Sequence, residues 1–376
     1  MNNIDNSSII PKYFQLKEIL KEKIINGEWK PGEKIPSEKE IVKNCKCSLI
    51  TVNKAVNKLV EEGYVFRERG RGTFVTPKSM WGKNPNTNIT LKLVGMVVPD
   101  VTKEFGKTII RGVEDYLHTR GYNLIIGNHD QDIVKAETYI SQLLKKNVSG
   151  LIFSPVVGEK YDEKNAKILK LLVKKDVPFV LIDKYIDNIN CSYVVTDNID
   201  SSYKLTEKLI EAGHKRIAVL TGMECSSFRD RLKGYKKALE KYGISFDPGL
   251  ICECDERKID EDDVSQIIGF LSENNNISAV FAFNSTLARG FILASEKLES
   301  KSPVHHISLV SYDNHILPRY DETIFTRISQ PEYNMGKKAA QLLVQMIEKG
   351  DRKENKVLLK SEILWGSMIE KNKLNN

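Results

Sequence analysis

Residues 67–75 read RERGRGTFV. Three arginines and two glycines, Gly70 and Gly72, precede Thr73-Phe74-Val75, and Tyr64-Val65-Phe66 lies just upstream. Two short β-prone runs around a glycine-containing turn read as a hairpin with Arg69 and Arg71 at its tip. A guanidinium fork suits phosphate oxygens and base edges, and arginine gains from the enhanced negative potential of a narrow minor groove. Glycine lets such a backbone come close to DNA. The same nine residues alone also fit a solvated turn, so their neighbours decide.

Those neighbours are the elements that must carry the hairpin. Residues 12–26, KYFQLKEILKEKIIN, space Leu16, Leu20 and Ile24 for a helix that Gly27 ends. Ser37-Glu38-Lys39-Glu40 matches a capping box and starts a short helix to about Asn44. Ser48 is a second candidate N-cap; beyond it Val52, Ala55, Val56, Leu59 and Val60 form one apolar stripe, closed by Gly63. The opposite face carries Leu49, Thr51, Asn53, Lys54, Asn57 and Lys58. Two helices about four residues apart, then a basic hairpin, make a winged helix-turn-helix, whose second helix enters the major groove. Thr51 and Asn53 suit bases, Lys54 and Lys58 phosphates. The candidate DNA-facing set is Glu38, Lys39, Ser48, Leu49, Thr51, Asn53, Lys54, Arg69, Gly70 and Arg71.

Charge agrees. Residues 1–78 hold 15 Lys and Arg against 10 Asp and Glu, so +5 of the chain's +7 lies in its first fifth. A basic module on a nearly balanced body implies a polyanion partner for that module, here double-stranded operator DNA. No run approaches the roughly 18 apolar residues of a spanning helix, and MNNIDNSSII lacks the pattern of a signal peptide. A cytoplasmic protein with no membrane partner is expected. The six cysteines include two C-x-C pairs but no zinc-type spacing, so free thiols are expected and no metal.

Residues 10–76 resemble the GntR-type DNA-binding domain through Pro11-x-Tyr13-x-Gln15, Pro31-Gly32, Ile35-Pro36-Ser37-Glu38, Ser48-x-x-Thr51-Val52-x-x-Ala55, Glu62-Gly63 and Gly70-x-Gly72-Thr73-Phe74-Val75. That family usually has arginine where Leu49 and Asn53 stand. The resemblance therefore implies the fold, with a half-site preference of its own. Residues 77–91, PKSMWGKNPNTNITL, read as a linker; Trp81 within it fits packing on either domain.

From residue 92 the pattern changes to α/β. Strand-like runs at 92–98, 122–127, 150–155, 177–182, 216–222, 279–283 and 307–311 alternate with helical segments. Parallel, doubly wound sheets follow, and about 285 residues call for two lobes. Ligands bind beyond the carboxyl ends of such strands. Those ends carry Asp100 and Phe105, Asn128-His129-Asp130, Asp183-Lys184-Tyr185, Arg229-Asp230-Arg231, Asn284-Ser285 and Asp313-Asn314. Carboxylates, amides and guanidinium bond paired hydroxyls, and an aromatic face covers a sugar ring. For each residue, Asp200 and Asp230 included, loop polarity and helix capping stay open as alternatives.

Residues 92–368 resemble the LacI-type effector domain, itself similar to periplasmic sugar-binding proteins. The motifs are Val148-Ser149-Gly150-Leu151-Ile152, Ala212-Gly213-His214-Lys215-Arg216-Ile217, Ser227-x-Arg229-x-Arg231-Leu232-x-Gly234-Tyr235, Val280-Phe281-Ala282-Phe283-Asn284, Ser329-Gln330-Pro331 and Met335-Gly336. The resemblance implies effector contacts at Phe105, Asp183, Arg231, Asn284, Asp313 and Gln330. It also implies a homodimer and a small sugar effector. Ser285 departs from the family's usual aspartate, and Lys184 from a common arginine. A GntR-type head with a LacI-type body most resembles the arabinose-operon repressors of Gram-positive bacteria, which makes an arabinose-like pentose the first effector to test.

An enzyme is the rival. No G-x-G-x-x-G follows a strand, and there is no P-loop, G-x-S-x-G or H-E-x-x-H. Its six histidines show no metal spacing, and His305-His306 opens a strand. No catalytic residue and no cofactor are assigned. The other rival is a sugar-binding protein without a regulatory role. The expectation is allosteric repression, in which sugar closes the lobes and moves paired heads off the operator.

Overall fold

The structure, a computed structural model, describes residues 4, 11–45, 47–82, 92–274, 276–298, 307–313, 326–350 and 352–366. Most of the linker, His305, His306, His315 and Asn314 lie outside these. The chain divides into two compact units, Met1–Leu91 and Lys92–Asn376.

In the first unit, α1 (Lys12–Ile25), α2 (Glu38–Cys45) and α3 (Leu49–Glu61) precede a hairpin of β1 (Val65–Glu68) and β2 (Gly72–Val75). Both expected caps form. Ser37 N–H donates to Glu40 at 2.7 Å and Glu40 N–H to Ser37 Oγ at 3.3 Å; Thr51 N–H donates to Ser48 Oγ at 3.2 Å. Leu16, Leu20 and Ile24 of α1 meet Ile41, Val52, Ala55, Val56, Leu59, Val65 and Val75 in one core. Leu59 is fully buried there, so its truncation to Ala would cost about 2–5 kcal/mol. In the hairpin, Glu68 pairs with Gly72 across a three-residue loop, and Gly70 takes φ 78°, the left-handed backbone such loops require. Trp81 belongs to this unit: its Nε1 donates to Thr76 O at 2.9 Å and its ring lies 6.0 Å from that of Tyr64.

The second unit begins with β3 (Lys92–Val98), α4 (Glu104–Thr119), β4 (Tyr122–Asn128), α5 (Ile133–Lys145), β5 (Gly150–Phe153), α6 (Tyr161–Lys174), β6 (Phe179–Ile182) and β7 (Ser192–Thr196). The chain then crosses to a second lobe of α7 (Asn198–Glu211), β8 (Ile217–Thr221), α8 (Ser226–Lys241), β9 (Ile251–Glu253), α9 (Glu256–Asp260), α10 (Ser265–Glu273), β10 (Ala279–Ala282), α11 (Ser285–Lys297), β11 (Ser308–Tyr312) and β12 (Thr326–Ser329). It returns through α12 (Glu332–Lys349) and β13 (Lys356–Leu359), and ends in the second lobe with β14 (Glu362–Leu364). The sheet orders are β13-β7-β6-β5-β3-β4, all parallel, and β14-β12-β11-β10-β8-β9, with only β14 antiparallel. Strands β5, β6 and β10 are buried at every position, as apolar runs covered by helices on both faces must be.

Helix α12 anchors the return crossing by lying directly on α4. A Cβ on Gly112 would stand 2.1 Å from Tyr333 O, and one on Gly336 2.0 Å from Ile109 O. Only glycine permits this approach, and it fixes where α12 starts, beside the carboxyl ends of the strands.

Candidate nucleic-acid interface and effector site

On the head, Arg69 and Arg71 are exposed at the hairpin tip, with Arg71 Nη1 2.7 Å from Glu68. Gly70 supplies the turn between them. Lys39, Ser48, Leu49 and Lys54 are exposed on α2, at the cap and on α3, and Thr51 is half-buried. Glu38 is occupied within the protein: its carboxylate accepts from Arg67 Nη2 at 2.6 Å. With its amide turned to donate, Asn53 Nδ2 lies 2.8 Å from Glu38 Oε1. The sequence offered Asn53 as a free amide for bases; folding gives it a partner on α2.

In the second unit the strand ends converge between the lobes. Asp313 follows β11, is buried, and accepts from Gln330 Nε2 at 2.6 Å and from Ser285 N–H at 3.2 Å. Gln330 Oε1 accepts from Thr196 Oγ1 at 2.7 Å, so it joins the two crossings. Arg231, 3% exposed, donates from Nε to Asn198 at 2.8 Å and from Nη1 to Phe283 O; its guanidinium stands 3.6 Å from the Tyr312 ring centroid. Asp183 follows β6 and pairs with half-buried Lys184. Burial acts most strongly on the Lys184 ammonium and lowers it, but Asp183 and Cys225 together raise it by more and the net shift is upward.

Two expected residues stand differently. Asn284 caps α11 through Leu287 N–H at 2.9 Å, while its amide donates to Glu256 at 2.6 Å. Phe105 sits in the first turn of α4, half-buried against the first lobe's core. Of the other strand-end groups, Asp200 pairs with Lys204 at 2.7 Å on the surface of α7. His129 is buried, with Nε2 3.0 Å from Ser154 O and Nδ1 accepting from Gln131 N–H; burial pushes it down to about 4, so it is a neutral structural imidazole.

One residue escaped the sequence reading. Glu332, the first residue of α12, is 4% exposed, and its Oε1 has no hydrogen-bond partner among the described residues. Burial first, then Asp313, pushes its carboxyl up to about 7. Glu104 and Asp183 act in the same direction, and Thr108 opposes them. Its only sequence signal is an acid directly after Gln330-Pro331.

The lobes meet along the start of α8. Ser227 Oγ donates to Asp183 O at 2.8 Å, Tyr185 N–H to Ser226 Oγ at 2.8 Å, and Tyr185 Oη to Asp230 at 2.8 Å. Arg229 of α8 reaches Asp162 at 3.0 Å and Asp187 at 2.9 Å, both in the first lobe. Across the mouth, Lys103 reaches Asp260 at 3.0 Å.

A winged helix-turn-helix followed by two parallel-sheet lobes with polar groups between them defines a DNA-binding regulator with a ligand domain. The chain belongs to the family described as periplasmic binding proteins and sugar binding domain of the LacI family, which matches residues 91–364; residues 12–75 match the bacterial regulatory proteins of the gntR family. It is 28% identical over 342 residues to an arabinose metabolism transcriptional repressor of Geobacillus stearothermophilus, covering 90% of this chain and 92% of that one. It is 31% identical over 261 residues to the HTH-type transcriptional repressor PurR of Photobacterium profundum, covering 69% of this chain and 75% of that protein. The crystal structure of the transcription regulator CcpA of Lactococcus lactis superposes with a TM-score of 0.63 at 26% identity, over 73% of this chain and 97% of that one. The protein is a DNA-binding transcriptional regulator of the repressor type. No helix among the described residues is long and apolar enough to cross a membrane.

Proposed function

We propose that this regulator is a homodimeric repressor that a small sugar, an arabinose-like pentose first, releases from its operator. The observation that carries the reading is the buried cluster of Asp183, Arg231, Asp313 and Gln330 between the lobes of a sugar-binding family domain. Each of these groups can exchange an internal hydrogen bond for a ligand hydroxyl. Aromatic Tyr312 lies under Arg231 within the same cluster. The effector choice is supported by the arabinose repressor that aligns along nine-tenths of the chain.

Coupling runs through the lobe contacts. A ligand that binds the closed arrangement more tightly shifts its population, and the Arg229 and Tyr185 bridges are what that shift makes or breaks. Two copies place two heads on half-sites about 34–36 Å apart or multiples of that spacing, so a small change in pairing geometry takes one head out of register. The protein acts by binding, with no catalytic step.

A thermal-shift screen of pentoses and hexoses, followed by a gel shift with the best ligand, tests the reading. A sugar present at 100 times its Kd raises stability by about 2.7 kcal/mol and should release the DNA. No stabilisation by any sugar removes the effector class; tighter DNA binding with sugar reverses the direction.

A further inference from the structure

The reading end of α3 is apolar. Leu49 and Ile50, its first two residues, are 47% and 70% exposed. Scattered exposed aliphatics need no explanation, but this pair stands at the tip of the helix that would enter the groove. The polar groups around it are already engaged. Ser48 Oγ lies 2.8 Å from Thr51 Oγ1 and accepts from Thr51 N–H. Asn53 and Arg67 both turn to Glu38. A base edge that approaches this turn therefore meets hydrocarbon first.

The surrounding charge specifies the occupant. Lys54 and Lys58 farther along α3 and Arg69 and Arg71 at the hairpin tip are all exposed, so the surface of the head suits a polyanion better than an apolar protein face. Within the major groove, the apolar group that marks a base is the C5-methyl of thymine. We propose that Leu49 and Ile50 read thymine by burying C5-methyl groups, and that this apolar contact replaces charged readout of guanine at the start of the helix. The proposal rests on the reading of α3 as the recognition helix.

The test uses the full-length protein. Operator sites are first selected from random duplex DNA. Each thymine is then replaced by uracil, which removes the methyl and leaves every hydrogen-bonding group in place. Wild type should lose about fourfold in affinity per methyl at one or two positions of each half-site, the equivalent of the ~0.8 kcal/mol for one buried methylene-sized group. The variant Leu49→Ala/Ile50→Ala should bind thymine and uracil operators equally. Both side chains lie outside the core, and circular dichroism checks that the helices persist. Equal wild-type affinity for the two operators overturns the inference and leaves DNA binding intact. A double variant that keeps the thymine preference also overturns it, because the methyl is then read elsewhere. Failure of the wild type to bind any duplex at low salt overturns the DNA-binding reading as well.

Discussion

Asp183 and Asp313 occupy the same place in the two lobes. Each directly follows a buried parallel strand, each has left-handed backbone (φ 69° and 75°), and each donates its N–H at 3.0 Å to the neighbouring strand, to Val194 O and Ile328 O respectively. Left-handed backbone costs a non-glycine residue on the order of 1 kcal/mol or more, least for Asp and Asn. Its repetition at both strand ends turns two carboxylates toward one cleft.

Asp313 therefore has a fold role and a ligand role that substitution can separate. Asparagine tolerates left-handed backbone but keeps one acceptor oxygen where the carboxylate serves both Gln330 and Ser285, so Asp313→Asn should keep the fold with a modest loss of stability. It should nonetheless lose at least about tenfold in sugar affinity, since a hydrogen bond to a charged group contributes roughly 1.5–3 kcal/mol. Asp313→Ala should lose affinity and also about 1 kcal/mol of stability to strain. Calorimetric titration beside thermal unfolding checks both; unchanged affinity in the Asn variant would remove Asp313 from the site.

Arg231 is more deeply built in than its strand-end position implied. It holds Asn198 and Phe283 O and stacks on Tyr312. Arg231→Ala should cost at least about tenfold in sugar affinity, and stability as well, because buried carbonyl and amide acceptors lose their donor at about 1–3 kcal/mol each. Sugar-free operator binding should persist, since the head is a separate unit with its own core. The variant would be a repressor that sugar no longer releases, which a gel shift with and without sugar reveals.

How much of this the sequence disclosed follows from the range of the interactions involved. The alternation of apolar strand runs and helices was local and legible, as were the Ser37 and Ser48 caps and the turn at Gly70. The β7–β13 pairing was not: it joins 193–196 to 356–359, and four-residue runs such as KVLL carry little periodicity of their own. Residues 248–273, with β9, α9 and α10, were also missed, because elements of three to nine residues leave weak patterns. Glu332 belongs to no motif or apolar stripe in the sequence. Its burial shows only in the folded chain, where α12 brings it close to Asp313 of one lobe and Glu104 and Thr108 of the other. Asn53 looked free because its partner Glu38 is 15 positions away.

The hairpin tip should carry phosphate or minor-groove contacts. Arg69 and Arg71 are exposed, and the Arg71–Glu68 pair is too solvated to hold Arg71 back from DNA. Arg69→Ala/Arg71→Ala should weaken operator binding and flatten its salt dependence, the slope falling by about one for each phosphate no longer neutralised. Gly70 keeps the turn, so circular dichroism should not change. Equal affinity with an equal salt slope would return the hairpin to a solvated turn.

Glu332 should make stability fall with rising pH. Its carboxyl sits at about 7 in the folded protein against 4.5 for the free group, through burial and then Asp313. Between those values the folded chain holds a proton that the unfolded chain has released. Unfolding is therefore increasingly favoured as pH climbs from about 4.5 to about 7, and the penalty is constant above that. Below 4.5 both states are protonated and the penalty vanishes. Glu332→Gln keeps the shape and removes the charge. It should be more stable than wild type at pH 8, by at most on the order of 3–4 kcal/mol for the rise from 4.5 to about 7, and match it near pH 4.5. Urea unfolding of both proteins across this range reports on Glu332 together with the acids coupled to it, because titrating groups that do not interact with it cancel in the difference. A difference that stays flat with pH, or that favours wild type at pH 8, would mean that Glu332 is ionised at no cost.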